Sequence, residues 1–168
     1  MIKNLKKEQL KNISESLPSL QRLLEEDDFF LNKGIYKKTF ASIFDHWLKP
    51  NEVDQIHTEN ADEINNRRKK FETVVKEIFN STEIYLWRYK RHDRFFVYKP
   101  TSINEVLNRC DFDNLYSERG KHYSLILPEY SAVFNEEWDW TNIIWYINKE
   151  KIKPLIKIIK KAGLHILE

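Results

Sequence analysis

The N-terminal half of the chain repeats apolar side chains at helical spacing. Residues 5–13 predict a first helix, which should end before Pro18 because the residue preceding a proline is pushed out of the helical conformation. Residues 20–24 predict a second helix. The aromatic-rich stretch 35–47 keeps the same spacing, so we expect a third helix there, with Trp47 on its apolar face.

The clearest helical pattern begins after Asn60. Asn60 followed by Glu63 is the sequence signature of a capping box, in which the first side chain accepts a hydrogen bond from the backbone three residues further on. The basic run 67–70 falls mostly off the apolar face. The apolar residues that share one face of this helix are Ile64, Phe71, Val74, Val75, Ile78 and Phe79.

The second half changes to the composition typical of strands. Aromatic and β-branched residues fill 84–89 and 95–98, which predicts a hairpin with its turn between them. Ser102 is suited to cap a short helix that continues to Arg109. Further strands are predicted at 123–127, 131–134, 143–147 and 164–167, with a helix from 152 to 161 before the last of them.

Together these elements predict an α+β fold, with a helical N-terminal half followed by an antiparallel-leaning sheet and one or two packed helices. The 168 residues suffice for one compact domain with a substantial core, and no repeat or linker interrupts them. We therefore predict a single domain over 1–168, within which 1–80 could form a helical subdomain and 81–168 the sheet-containing part.

Composition narrows the class of function. Lys and Arg number 28 and Asp and Glu 26, so the chain is not a global polycation of the kind that binds nucleic acid. The three glycines lie far apart, which excludes a phosphate-binding loop, a dinucleotide fingerprint and a nucleophile elbow. A single cysteine, Cys110, excludes an internal disulfide. Because no export signal or membrane span is evident, we expect a cytoplasmic protein. Because these motifs are missing, we expect no cofactor, no metal and no enzymatic activity.

The most unusual local feature is an acidic, aromatic stretch between two predicted strands. It consists of Glu136, Glu137, Trp138, Asp139 and Trp140. One interpretation is that a partner covers the tryptophans, since Trp is a favoured binding anchor, while the carboxylates pair with Lys or Arg on that partner. The alternative is that one tryptophan folds back into the core while the acids face water.

A second acidic stretch has no Lys or Arg among its carboxylates. Its members are Glu52, Asp54, Glu59, Asp62 and Glu63. Such a local negative field would steer a basic partner towards it. The alternative is a solvated loop whose acids precede a helix, where the helix dipole favours negative charge.

The predicted hairpin 88–99 carries the opposite charge. Five basic residues alternate there with aromatic side chains, a composition that can bind single-stranded RNA through stacking and phosphate contacts. No RNA-recognition motif accompanies it, and the alternative is an edge hairpin whose outward charges deter aggregation. His92 and His122 could supply a general base and acid for RNA cleavage, but nothing in the sequence brings them together.

The C-terminal third resembles a module of small bacterial proteins, some of which are immunity proteins of contact-dependent growth inhibition and other polymorphic toxin systems. The resemblance covers about residues 122–167 and is carried by Tyr123–Glu129, Ala132–Phe134, Glu137–Asp139, Thr141–Asn142, Trp145–Tyr146 and Lys161–Leu164. It implies a cytoplasmic protein that binds and neutralises a cognate toxin, with no catalytic residues. Immunity families choose their toxins through variable surfaces, so no binding residue is carried over.

We therefore predict an immunity-type protein that occludes a cognate, basic toxin domain, such as a nuclease, with an acidic and aromatic surface. Trp138 and Trp140 are the predicted anchors, and the predicted complements to positive charge are Glu136, Glu137, Asp139, Glu52, Asp54 and Glu59. No membrane partner is expected. The alternative is a nucleic-acid-binding or RNA-processing protein that uses the hairpin 88–99.

Overall fold

The computed structural model describes residues 5–25, 34–90, 94–110, 123–137 and 139–168. The helices are α1 (Lys7–Ser16), α2 (Leu20–Glu25), α3 (Ala61–Ser81), α4 (Ile103–Leu107) and α5 (Lys153–Lys161), with 3₁₀ helices at Pro50–Ile56 and Pro128–Tyr130. The strands are β1 (Lys37–Ser42), β2 (Leu86–Lys90), β3 (Arg94–Tyr98), β4 (Ser124–Leu127), β5 (Ala132–Asn135), β6 (Thr141–Tyr146) and β7 (His165–Leu167). The predicted α+β class is confirmed.

An antiparallel sheet of five strands, in the order β4-β5-β6-β1-β7, organises the molecule. Its central strand β6 is buried along its whole length. Both faces of β6 are covered, which explains why its last four residues, 143–146, are a continuous apolar run rather than an alternation. A separate hairpin pairs β2 with β3.

The predicted helix over 35–47 is wrong, because β1 lies there, between β6 and β7. Phe40 pairs with Ile143 on one side and with Leu167 on the other. Four consecutive residues of β1, from Thr39 to Ser42, are buried. Of the apolar residues that match helical spacing over 35–47, only Phe40 lies in β1, so the spacing does not belong to one element, and pairing with distant strands decides the structure.

Alternate residues of the sheet enter two different cores. Phe134, Ile144 and Tyr146 point into the larger core, which also contains buried residues of α3, α4 and α5. Val133 and Trp145 point into the second core, which contains the buried residues of α1 and α2. The helices therefore cover both faces of the sheet, as the period of two in side-chain direction requires.

The two predicted N-cap residues are confirmed, and a glycine ends α5. The Asn60 side chain caps α3 by accepting hydrogen bonds from the backbone N–H groups of Asp62, at 3.0 Å, and Glu63, at 3.2 Å. The reciprocal half of the predicted capping box does not form, because the Asn60 N–H donates to Thr58 Oγ1 at 3.2 Å and the Glu63 carboxylate accepts from Arg67. Ser102 caps α4 through the N–H of Glu105 at 3.3 Å. Gly163 follows α5 with a φ of 80°, the left-handed conformation that ends many helices and favours glycine.

The hairpin is joined to the edge of the main sheet just before β2. Tyr85 and Ile126 exchange two backbone hydrogen bonds, of 3.0 and 2.9 Å. This bridge covers part of the outer edge of β4, where unpaired backbone groups would otherwise face solvent. Among the described residues, no helix combines the length and the apolarity that crossing a bilayer would require.

Candidate binding surface

The turn between β5 and β6 buries its second tryptophan. Trp140 is 5% exposed and stacks on Phe71 of α3, with 6.3 Å between the ring centroids. Its indole Nε1 donates a hydrogen bond to the backbone oxygen of Ile56 at 3.2 Å. A buried indole with a satisfied N–H is a core residue, so Trp140 is not on the surface where a partner could reach it.

This tryptophan also has an unusual backbone conformation. Its φ is 61°, a left-handed value that is rare for a bulky residue and costs about 1–3 kcal/mol. The Asp139 carboxylate supports the turn by accepting a hydrogen bond from the N–H of Thr141 at 3.1 Å. The N–H of Ile43, just after β1, donates to the Trp140 carbonyl at 3.3 Å. The burial of the indole and these bonds hold the strained turn in place.

Arg67 of α3 lies inside the molecule, beside the same indole. It is 8% exposed, and its guanidinium lies 5.7 Å from the ring centroid of Trp140 and 5.8 Å from that of Phe44. Its Nε donates to Glu63 at 2.9 Å. Within the run 67–70, which falls mostly off the apolar face, Arg67 is therefore the residue that is buried. A signal existed, since Arg67 is four residues before the core residue Phe71 and four after Glu63.

The backbone of the 3₁₀ helix Pro50–Ile56 is where the acidic stretches meet. The Ile56 oxygen accepts from Arg67 at 3.2 Å as well as from Trp140, and the Gln55 oxygen accepts from Arg67 at 3.1 Å. These bonds fix the segment that carries Glu52, Asp54 and Glu59 directly against the turn 136–140. The segment 50–56 and the turn 136–140, which are far apart in the sequence, are thus in direct contact at Ile56, a contact that we call the junction at Ile56.

The acidic residues of the turn are largely withdrawn from solvent. Glu136 is 3% exposed, so it is not a surface carboxylate. Glu137 is half-buried, and its N–H donates to Asn142 Oδ1 at 3.4 Å. Asp139 is also half-buried, and burial raises its pKa from 3.8 to about 6. Trp138 lies outside the described residues.

The acids of the second stretch are more accessible. Asp54 and Glu59 are exposed. Glu52 is partly covered, and its carboxylate accepts from the N–H of Lys49 at 2.8 Å, which caps the 3₁₀ helix. That backbone hydrogen bond is the main cause of the lowered pKa of Glu52. Carboxylates with depressed pKa values remain negative across the neutral range.

A histidine joins this stretch to the end of β1. Nδ1 of His46 lies 2.5 Å from Asp45 Oδ1, and its Nε2 lies 3.3 Å from Glu52 Oε2. We call these three residues the His46 clasp. A carboxylate only accepts, so both contacts are hydrogen bonds when the imidazole carries two protons. The hydrogen bond to Asp45 and then that to Glu52 raise the pKa of His46.

Two large apolar side chains lie exposed next to the clasp. Trp47 and Val53 are each 44% exposed. Trp47 is absent from the sequence-predicted site because its spacing places it on the apolar face of the predicted third helix. Val53 lies inside the acidic stretch and is likewise absent from the predicted site. In the 3₁₀ helix Pro50–Ile56, Ile56 is the buried residue and Val53 is exposed. This difference is evident only from the three-dimensional structure.

Two of the cationic side chains of the hairpin 88–99 interact with other residues of the chain. The Arg88 guanidinium lies 5.5 Å from the ring centroid of Tyr98 and 5.9 Å from that of Phe96. The Lys99 ammonium forms an ion pair with Glu83. His92 and His122 lie outside the described residues. In the described part of the hairpin, these contacts leave fewer cations available for phosphate.

The single cysteine lacks the features of a reactive thiol. Cys110 is partly buried against α4, where its thiol donates to the Val106 oxygen at 3.4 Å, and burial raises its pKa well above the ordinary value. A thiol of raised pKa is a poor nucleophile at neutral pH. Within the described ranges, no group of three or more His, Cys, Asp or Glu side chains is arranged to hold a metal ion.

Comparison with known proteins returns no match. Neither a family model, nor a curated protein, nor a solved structure matches the chain. The resemblance of residues 122–167 to immunity modules therefore stays a prediction, and the evidence for a function is the surface itself.

Proposed function

We propose that the protein is an immunity-type inhibitor, which neutralises a basic toxin domain by covering it with the acidic surface of residues 45–59. The observation that carries this proposal is the junction at Ile56. Hydrogen bonds from Arg67 and Trp140 fix the acidic 3₁₀ helix on the turn 136–140, and so hold its carboxylates in a constant arrangement. A pre-organised surface loses less entropy on binding than a mobile loop.

Charge supports a basic partner. Asp54 and Glu59 are exposed and have no ion-pair partner among the described residues, while Lys49 is the one lysine or arginine from 43 to 66. An unneutralised patch of one sign attracts partners of opposite charge and raises the rate of association. Many toxins that act on nucleic acid have basic active sites, which such a patch could occupy. The resemblance of residues 122–167 is the reason for expecting a toxin as the partner.

We place the proposed contacts with the partner outside the turn 136–140. Glu136 and Trp140 are buried, so we assign them to support of the surface rather than to the interface. Asp139 and Glu137, which are half-buried, lie at its border. The direct contacts are then expected from Glu52, Asp54 and Glu59, which the sequence also predicts.

The test is capture of the partner followed by a neutralisation assay. The tagged chain is used to capture proteins from its host's lysate at moderate salt, and each captured domain is expressed in a bacterial host with and without this chain. We expect a captured domain that stops growth, and we expect growth to be restored when this chain is co-expressed. Recovery of RNA that is lost at high salt would instead favour the hairpin 88–99.

Charge reversal then tests the surface. The double variant Asp54→Lys/Glu59→Lys should weaken binding of the toxic domain at least tenfold and abolish the rescue of growth. The matched control is Glu8→Lys/Glu15→Lys on α1, which packs on the opposite face of the sheet and should bind normally. Equal binding by both double variants would contradict the proposed surface.

A further inference from the structure

The exposed Trp47 is held rigidly although it faces solvent. Its Nε1 donates to the backbone oxygen of Glu168 at 3.1 Å, and its ring meets Phe40 edge-on with 4.6 Å between centroids. The remaining surface of the indole is available, since 44% of the residue is exposed. A tryptophan fixed in this way has little side-chain entropy left to lose on binding, which is the property of an interface anchor.

Val53 and Trp47 both lie next to the His46 clasp in the chain. The His46 clasp joins residues 46 and 52, and each of these directly precedes one of the two exposed apolar residues. Single exposed apolar residues are normal on protein surfaces, but two beside one hydrogen-bonded clasp are candidates for the apolar centre of an interface. In the chain, Asp54 directly follows Val53 and Asp45 stands two residues before Trp47, and both acidic residues are exposed.

We propose that Trp47 and Val53 are the apolar centre of the docking surface, and that its occupant is a segment of the partner protein in which an aliphatic side chain is flanked by Lys or Arg. The proposal rests on the proposed function and gives the partner's chemistry. The aliphatic group covers the free face of the indole and Val53, and the flanking cations reach Asp45 and Asp54. Apolar burial at the centre with ion pairs at the rim is the usual organisation of a protein interface.

The chemistry can be tested before the natural partner is known. The probe is a synthetic amphipathic peptide of leucine and lysine, and its comparison is a peptide of the same length and charge in which serine replaces leucine. Binding to the full-length, ¹⁵N-labelled chain is followed through the tryptophan indole N–H signals. The signal that disappears in Trp47→Ala is assigned to Trp47. We expect the leucine peptide to shift this signal saturably and the serine peptide to bind at least tenfold more weakly.

Three variants locate the binding. Affinities are measured by the fluorescence anisotropy of a dye-labelled leucine peptide, a readout that does not depend on the Trp47 signal. Trp47→Ala should weaken binding of this peptide at least tenfold, and Val53→Ser, which removes an exposed side chain, should weaken it several-fold. Ile35→Ala is the matched control, because Ile35 is 56% exposed but precedes β1 at the end opposite to Trp47. Equal binding of the two peptides, no binding of either, or equal effects of Val53→Ser and Ile35→Ala would each overturn the proposal.

Failure of this inference can be distinguished from failure of the proposed function. If growth is rescued by Trp47→Ala and by Val53→Ser as well as by the unmodified chain, the inhibitor role stands and the apolar centre does not. If the peptides behave as expected but no captured domain is toxic, the surface chemistry stands and the toxin assignment fails.

Discussion

The turn 136–140 and the segment 43–59 have similar compositions and opposite placements. Each combines carboxylates with tryptophan, yet Trp140 is 5% exposed and Trp47 is 44% exposed. The turn connects two paired strands, so its side chains are carried over the core, whereas the segment leaves the sheet after β1 and runs over the surface. An acidic, aromatic composition therefore does not by itself identify an interface.

Substitution of the two tryptophans gives the largest expected contrast. Trp140→Ala should lower the free energy of unfolding by about 3–5 kcal/mol, because it leaves a cavity against Phe71 and removes the hydrogen bond to Ile56. Trp47→Ala should cost less, about 1–2 kcal/mol, since 44% of the residue is already in water and the variant loses the edge contact with Phe40 and the hydrogen bond to Glu168. Chemical denaturation of both variants measures the difference. Equal losses would show that the two tryptophans have the same structural role.

Arg67 connects the two regions, so its replacement is the next largest effect. Arg67→Met keeps the volume but leaves the Gln55 and Ile56 oxygens without this donor, and we expect a loss of about 2–3 kcal/mol. Arg67→Lys should lose less, because it keeps the charge but not the planar, multiple donors. The control Lys69→Met, at an exposed position of the same helix, should change stability by less than about 0.5 kcal/mol. An Arg67→Met variant as stable as the control would contradict the junction at Ile56.

Most of the fold can be predicted from local patterns, and the exceptions have a common cause. The period of α3, its Asn60 cap and the hairpin depend on neighbours in sequence, so the sequence predicts them. The strand β1 depends on pairing Phe40 with Leu167, more than a hundred residues away, and local spacing carries no record of that. The same limit applies to the candidate surface. Its acids are evident from composition, but the exposure of Trp47 follows from β1 being a strand.

The half-buried carboxylate of the turn gives a smaller, pH-dependent effect. Burial raises the pKa of Asp139 to about 6, so the folded state binds the proton more tightly than the unfolded state. Its contribution to stability is therefore greatest at low pH and falls as the pH rises from about 4 to about 6. Asp139→Asn stays neutral and can still accept from Thr141.

We therefore expect Asp139→Asn to be about 1–2 kcal/mol more stable than the unmodified chain at pH 8, with the difference vanishing below about pH 4. Thermal unfolding over this pH range measures it. The exposed counterpart is Asp54→Asn in the other region, which should leave stability nearly unchanged. If Asp139→Asn is no more stable than Asp54→Asn at pH 8, the two carboxylates do not differ in burial as the structure describes.

The smallest expected effect lies in the exposed segment and occupies a different pH window. The pKa of His46 is raised above 6.5, first by Asp45 and then by Glu52, so the folded state again binds the proton more tightly. The stabilising contribution of the clasp is fully present below the ordinary histidine pKa and is lost as the pH rises through the folded value. Since the clasp is exposed, this should be a local opening of residues 45–52 rather than global unfolding.

Nuclear magnetic resonance can separate this opening from the effect of Asp139. The His46 ring signals should titrate above pH 6.5, and the indole signal of Trp47 should move in the same range because it neighbours the clasp. In His46→Gln the indole signal should no longer respond to pH in this range, while the stability change between about pH 4 and 6 that belongs to Asp139 should remain. A Trp47 signal that still titrates in His46→Gln would show that a group other than His46 controls the segment.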